Sequence, residues 1–289
     1  MASNTTTKLA SLYTSKGYGD IYKIAETFTA VFGRVLINQS SIVSYPSPPV
    51  VFDNGCGTGI ISSLLHSILG DQVRQRWELT CGDVAEAMVE YTRQRAKDEG
   101  WQNVEVKVAD AQATQLASAH YTHVYGSFAY PLFRDVGAAM QETLRILQPG
   151  GTLAISTWET VPWINDLKAG VKSLAPDLPC PDDKEFLGMI QKDWSSETHV
   201  ESVLNQAGFM DVQVNGVTEK VSLPIPELVE VSKTLLPAML GKSWTQEQRE
   251  QYEGRIPLAM TQYLEQNHGV GAQVWYEPVC MIATARKPL

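Results

Sequence analysis

The sequence predicts an α/β fold built on a mostly parallel sheet, and three observations predict it. Short β-branched apolar segments alternate with segments of helical periodicity from residue 48 to residue 158, the pattern of repeated βαβ units. A glycine-rich turn, Asp53-Asn54-Gly55-Cys56-Gly57-Thr58-Gly59, joins the first strand to the first helix. An acidic residue closes each of three successive strands, Asp53, Asp83 and Asp110, about thirty residues apart. Such folds gather ligand-binding residues at the carboxyl ends of their strands.

The elements follow in order. Residues 48–52, Pro-Pro-Val-Val-Phe, read as a short buried strand, and 60–69 carry apolar residues at helical spacing. Glycines between them leave no Cβ to hold a ligand off the main chain. Strands are expected at 77–82 and 104–109, then at 123–129, followed by a helix over 136–147. Gln148-Pro149-Gly150-Gly151 is read as a sharp turn and 152–158 as a fifth strand. Residues 197–209 read as a helix stopped by Gly208. Segments 212–214 and 274–285 are expected to close the sheet as an antiparallel pair at one edge. The stretch 224–270 is too long for a hairpin turn and carries helical patterns at 225–240 and 245–266. It is read as a helical cap over the substrate, together with 159–192.

Two kinds of glycine loop fit between a strand and a helix. The dinucleotide fingerprint is G-x-G-x-x-G, with a pyrophosphate over the helix N-terminus. Here the glycines alternate and an acidic residue precedes them. This D-x-G-x-G-x-G form resembles the first motif of class I S-adenosylmethionine-dependent methyltransferases. The resemblance implies a Rossmann-like class I methyltransferase fold, a seven-stranded mostly parallel sheet with a helical cap insert. It also implies S-adenosyl-L-methionine as cofactor and S-adenosyl-L-homocysteine as product. On this reading Asp83 accepts hydrogen bonds from the ribose hydroxyls and Asp110 from the adenine amino group, while Ala111 and Gln112 line the ring. Asp53, Asn54, Gly55, Cys56, Gly57, Val84, Met88 and Ser127 complete the expected cofactor set.

Composition narrows the partners. With 23 Lys plus Arg against 32 Asp plus Glu, net charge −9, the chain should repel a phosphate backbone, so nucleic acid is not expected as a substrate. No run reaches the length of a membrane span, and the Thr/Ser-rich first sixteen residues read as a frayed arm and not a secretory signal. The four cysteines, Cys56, Cys81, Cys180 and Cys280, lack metal-ligand spacing and fit reduced thiols of a cytoplasmic protein. The expectation is one domain over 1–289, with a helical arm at 1–45 over the cofactor and the cap at 224–270. It acts as a monomer on a small molecule, with no metal.

The acceptor is constrained by what is missing. After the fourth strand the sequence runs Ser127-Phe128-Ala129-Tyr130, without the Asn/Asp-Pro-Pro-aromatic motif used on amide or exocyclic nitrogens. Carboxylates clustered as a Mg²⁺-assisted catechol site would need are absent too. His66, His120 and His123 read as surface or turn residues. His199 and His268 lie in helical segments, and no histidine is assigned as a base. A thiol acceptor, with a free pKa near 8.5, needs none.

The chain also resembles the fungal gliotoxin-type bis-thiomethyltransferases, through the runs at 77–83 (Trp-Glu-Leu-Thr-Cys-Gly-Asp), 120–124 (His-Tyr-Thr-His-Val) and 243–253 (Ser-Trp-Thr-Gln-Glu-Gln-Arg-Glu-Gln-Tyr-Glu). This resemblance implies methylation of both thiols of a reduced epidithiodiketopiperazine in successive turnovers. It implies that Tyr22, on an N-terminal helix, bonds the cofactor carboxylate, and that Phe128 and Trp158 form an apolar wall against the substrate. Methylation of oxygen or nitrogen in another metabolite, or a protein of this fold that transfers no methyl, are the alternatives.

Overall fold

The computed structural model describes residues 18–240 and 243–289; the arm expected at 1–16 lies outside them. In chain order the elements are α1 (Tyr18–Gln39), β1 (Val50–Asn54), α2 (Ile60–Ile68), the single turn α3 (Asp71–Arg74), β2 (Glu78–Asp83), α4 (Glu86–Asp98) and β3 (Val104–Val108). Then come β4 (Tyr121–Ser127), α5 (Val136–Ile146), β5 (Leu147–Trp158), α6 (Trp163–Leu174), α7 (Asp183–Gln191), α8 (Glu197–Ala207) and β6 (Met210–Thr218). The chain ends through β7 (Val221–Pro224), α9 (Ile225–Leu240), α10 (Gln246–Tyr252), α11 (Ile256–His268), β8 (Gln273–Tyr276) and β9 (Val279–Arg286).

Seven strands form one sheet in the order β3-β2-β1-β4-β5-β9-β6. Strands β1 to β5 pair in parallel, and β9 enters antiparallel between β5 and β6. The chain runs outward from β1 to β3 and then returns to β4 on the other side of β1. That reversal leaves a crevice above the carboxyl ends of β1 and β4.

In the central strands β1, β4, β5 and β9 successive side chains point to opposite faces, and both faces are covered. Val51, Tyr125, Ala154 and Ile282 join one core with Phe32 and Leu36 of α1 and Ile61 and Leu65 of α2. Their neighbours Phe52, Val124, Leu153 and Ala283 point the other way and join Met140 and Ile146 of α5 and Leu204 of α8. A third core, off the sheet, joins Phe28 to Trp163, Leu228, Leu236, Met260 and Tyr276. Gly170 makes that packing possible on α6, since a Cβ there would lie 2.9 Å from the Met260 Cα of α11.

Two expectations need correction. The 274–285 segment is not one strand: β8 ends at Tyr276 and pairs with β7 in a separate two-stranded ribbon, and β9 begins at Val279. Pro278, which has no N–H to donate, lies between them. The Gln148–Gly151 turn is absorbed into β5 as a bulge. Tyr121 pairs with Leu147 but His123 pairs with Thr152, while Gly150 N donates to Lys287 O and Lys287 N to Gly151 O. Gly150 takes φ +72° to let the chain loop out and continue.

Candidate active site

The crevice above β1 and β4 holds a cavity of about 430 Å³. Its walls are the strand ends. Asn54 ends β1 and Gly55 follows it, Asp83 ends β2 and Val84 and Ala85 follow it, and Asp110, Ala111 and Gln112 lie beyond β3. Ser127 ends β4 and Phe128 and Ala129 follow it, and Tyr22 of α1 closes the top. The loop after β1 is drawn close to its neighbours. Gly55 N and Cys56 N both donate to Gly82 O, at 2.8 and 3.0 Å. Gly55 sits at φ +71°, and a Cβ there would lie 2.7 Å from the Ala129 Cβ, so only glycine lets these two strand ends approach.

Asp83 organises the loop from the cavity side. Its Oδ2 accepts from Gly57 N at 2.9 Å and its Oδ1 from Ala85 N at 2.9 Å. A carboxylate offers about four acceptor positions, so two backbone donors leave capacity for a ligand's hydroxyls. Burial pushes its pKa up, and the backbone hydrogen bonds work against that. Asp110 Oδ1 accepts from Gln112 N and Gln112 Nε2, both at 2.9 Å, which fixes the amide side chain beside the carboxylate.

Helix α1 is held over this loop by a buried ion pair. Arg95 Nη1 donates to Glu26 Oε1 at 2.7 Å and to Thr58 O at 3.0 Å, and Thr58 Oγ1 donates to Glu26 Oε1 at 2.5 Å. A residue of α4, one of the glycine loop and one of α1 thus share a single carboxylate. Tyr22 stands one turn earlier on α1, about 6 Å back along the helix axis.

Four residues expected at the cofactor lie behind the wall and not on it. Asp53 is buried, accepting from Ser62 N and Ser62 Oγ of α2 at 3.2 and 2.7 Å. It ties the strand end to the helix start. Burial pushes its carboxyl up to about 6, with the Ser62 bonds pulling it down and Asp83 adding a further rise. Cys56 is buried with Cys81 in the core beneath α2. Gly57 contributes its N–H to Asp83. Met88 packs with Ala85 and Tyr22, supporting the wall from the α4 side.

A second cavity, of about 140 Å³, adjoins the first and shares Tyr22, Phe128 and Leu132 with it. Trp158 lines this cavity alone, with Ala25, Phe28 and Thr29 of α1, Trp163 of α6, Ile190 and Gln191 of α7, and Val231, Thr234 and Leu235 of α9. Phe128 and Trp158 stack with ring centroids 4.3 Å apart and planes 24° from parallel. Phe128 takes φ +55°, a conformation costly to a bulky residue. Its N–H donates to Ser156 O at 2.9 Å, and the turn directs its ring to the junction of the two cavities.

Among the described residues, no charged residue and no histidine lines the second cavity. The first has Asp83, Asp110 and Arg134. The histidines lie elsewhere. His66 stacks on Trp101, and His120 faces Glu78 at 3.0 Å. His199 lies edge-on to Trp194, and His268 ends α11 on the surface. His123 differs from its expected surface or turn position. It is buried in β4, bonded to Thr122 Oγ1, and burial lowers its pKa to about 4. All four cysteines are free, and among the described residues no group of acidic, His or Cys side chains could hold a metal. Among those residues, too, no helix is long and apolar enough to cross a membrane.

The sheet order, the glycine loop and the acidic strand ends define a class I methyltransferase. A methyltransferase-domain family model matches residues 51–151, the segment from β1 to the start of β5. The chain is 44% identical over 282 residues to the acetylaranotin bis-thiomethyltransferase of Aspergillus terreus, covering 97% of this chain and 98% of that protein. It is 42% identical to the methyltransferase tpcH of Aspergillus fumigatus, over 97% of this chain and all of that one. Among solved structures, the Haemonchus contortus phosphoethanolamine N-methyltransferase 2 bound to S-adenosylhomocysteine shares the fold, with TM-score 0.52 and 15% identity. The match spans 89% of this chain and 52% of that one. The chain belongs to the S-adenosylmethionine-dependent methyltransferases, in one family with these Aspergillus enzymes. The acceptors on the first cavity, the carboxylates of Asp83 and Asp110, fit the hydroxyl and amino groups of that cofactor, and among the described residues Arg134 is the one cation on its wall.

Proposed function

We propose that the protein methylates the thiols of a small dithiol metabolite of the epidithiodiketopiperazine class. One observation carries this reading: the cavity that adjoins the first is apolar and aromatic, and among the described residues no histidine and no charged side chain lines it. Bound S-adenosylmethionine supplies an electrophilic methyl on a sulfonium. An acceptor for such a site must be neutral enough to enter and acidic enough to ionise unaided, and a thiol with a free pKa near 8.5 meets both conditions. The name of the Aspergillus terreus relative, a bis-thiomethyltransferase, supports the same acceptor.

In this reading Asp83 takes the ribose hydroxyls, Asp110 and Gln112 the adenine edge, and Asn54, Gly55, Val84, Ala111 and Ser127 complete the nucleoside wall. Tyr22 engages the amino-acid end beneath α1. Asp53, Cys56, Gly57 and Met88 act one layer back, shaping the loop and not touching the cofactor. Phe128 and Trp158 hold the acceptor's apolar body and exclude water, leaving the sulfur facing the cleft at close range. The cap consists of α1, α6, α7 and α9. Helices α10 and α11, also within 224–270, contribute nothing to either cavity, and α11 braces α6 from behind. The chain works as a single domain and a monomer.

Mass spectrometry of a reduced epidithiodiketopiperazine incubated with enzyme and S-adenosylmethionine tests the reading, beside a phenolic control. Gain of two methyl masses on the dithiol alone is expected. Methylation of the phenol alone would move the acceptor to oxygen. No transfer to either, with the cofactor still bound, would favour a protein of this fold that transfers no methyl.

A further inference from the structure

Thr29 carries a polar atom that the fold leaves unused. It lies on α1 at 7% exposure, and its Oγ1 has no hydrogen-bond partner. It lines the second cavity and not the first. The other polar side chains there for which partners are known are already engaged. Thr234 Oγ1 donates to Val231 O at 2.6 Å, and Gln191 Nε2 donates to Trp158 O. A threonine inside a helix ordinarily satisfies its hydroxyl on a carbonyl one turn back, and Ser232 on α9 does so, onto Leu228 O at 2.8 Å. Leaving a buried hydroxyl unpaired is unfavourable. Valine, its isostere, would fill the same space without that cost.

We infer that Thr29 is a specificity residue that hydrogen-bonds an oxygen on the acceptor, at a part of the acceptor remote from the sulfur. Position decides the second half of that statement. Tyr22 touches both cavities, so it marks the junction where the methyl crosses. Thr29 follows seven residues later on the same helix, on the order of 10 Å along its axis, and faces only the far cavity. The group it meets is therefore a peripheral hydroxyl or carbonyl, in surroundings otherwise aromatic and aliphatic. A site built to bond such an oxygen discriminates against the analogue that lacks it, because the site's own polar atom is then stranded.

This inference rests on the proposed acceptor pocket, and its test separates the two. Calorimetry with S-adenosylhomocysteine-loaded protein would compare two matched reduced epidithiodiketopiperazines, one with a peripheral ring hydroxyl and one without. Wild type is expected to favour the hydroxylated compound about tenfold, the effect of one hydrogen bond. Thr29→Val should erase the preference and leave cofactor affinity and melting temperature no lower than wild type. Thr29→Ser should keep the preference. A preference that survives Thr29→Val overturns the inference, as does a preference absent from wild type. A fall in both stability and cofactor affinity would make Thr29 merely structural and overturn it too. If neither dithiol binds but a phenol does, the thiol reading falls, and Thr29 is judged on phenols with and without a second hydroxyl. Binding of no compound overturns both.

Discussion

The two cavities are made in opposite ways. The cofactor cleft is a local product of the sheet, each wall coming from the few residues that follow one parallel strand. Its key atoms include backbone groups that the glycine loop and Asp83 hold in place. The second cavity draws on α1, α6, α7 and α9, which lie between residues 18 and 240 and meet in one shared apolar core. Phe28 stacks on Trp163 at 4.7 Å, and Trp163 lies edge-on to Trp158 at 5.2 Å. One site is charged and held by backbone; the other, among the described residues, is uncharged and held by side-chain packing. On the proposed function the first cavity takes the cofactor and the second the acceptor.

The comparison breaks most visibly at Asp83. Asp83→Ala removes the carboxylate that holds Gly57 and Ala85 and that lines the first cavity. S-adenosylhomocysteine affinity should fall by about 2–4 kcal/mol, on the usual strength of charge-assisted hydrogen bonds. Titration calorimetry measures this, and unchanged affinity would remove Asp83 from the cofactor site.

Asp53 sharpens the contrast within the cleft itself, because it resembles Asp83 in sequence and differs from it in role. Its folded pKa of about 6 lies above the ordinary 3.8. Its contribution to stability is therefore fully present below pH 3.8 and is lost as the pH rises through 6. Asp53→Asn has no such titration. Between pH 4 and pH 7 the stability of wild type relative to Asp53→Asn should drop by about 2–3 kcal/mol, at 1.36 kcal/mol per pKa unit. Parallel urea curves for the two proteins would refute the assignment, and cofactor affinity should respond far less than it does to Asp83→Ala.

The same contrast explains what could be read before the fold was known. The glycine loop, the Asp83 and Asp110 strand ends and the alternation of elements are short-range patterns, and each falls where local chemistry places it. Asp53 was legible as a residue but not as to its direction. A side chain at a strand end can face the crevice or the next helix, and Ser62, nine residues later, claimed it. The split of 274–285 turned on Pro278, where an apolar run continues but the ladder cannot. Thr29 was not legible at all: a lone threonine on an amphipathic helix gives no sign of an unpaired hydroxyl until the facing wall is known. Phe128 and Trp158 were legible as aromatics near a strand end, whereas Phe28 and Ile190 come together only through tertiary packing.

Trp158 tests the other half of the comparison, since it lines the acceptor pocket and not the cleft. Trp158→Leu removes the stack on Phe128 while keeping an apolar side chain. The acceptor KM should rise about tenfold, or roughly 1.4 kcal/mol, within the range for an aromatic pair. Cofactor affinity should stay within about twofold, because Trp158 itself does not line the first cavity and reaches it only through Phe128. Steady-state kinetics with each substrate varied in turn would show the split. A matching loss on the cofactor side would mean that the two cavities are one energetic unit.

The smallest effect expected is at the histidines, and it bears most directly on the chemistry. His199 and His268 line neither cavity, so alanine at either should leave turnover within about twofold, a surface-substitution magnitude. The pH profile makes the point independent of any one substitution. If the acceptor ionises on its own, kcat/KM rises with pH toward the thiol's own pKa near 8.5 and follows the acceptor when a more acidic thiol is used. A protein base would impose a fixed inflection near the imidazole value of about 6.5 whatever the acceptor. His123, the one histidine held close to the sheet core, titrates near 4 because burial disfavours its charge, and could not produce that inflection. A fixed inflection that disappears in His199→Ala would therefore identify a base reaching the pocket in the loaded enzyme. It would also show that the uncharged wall is incomplete until the acceptor binds.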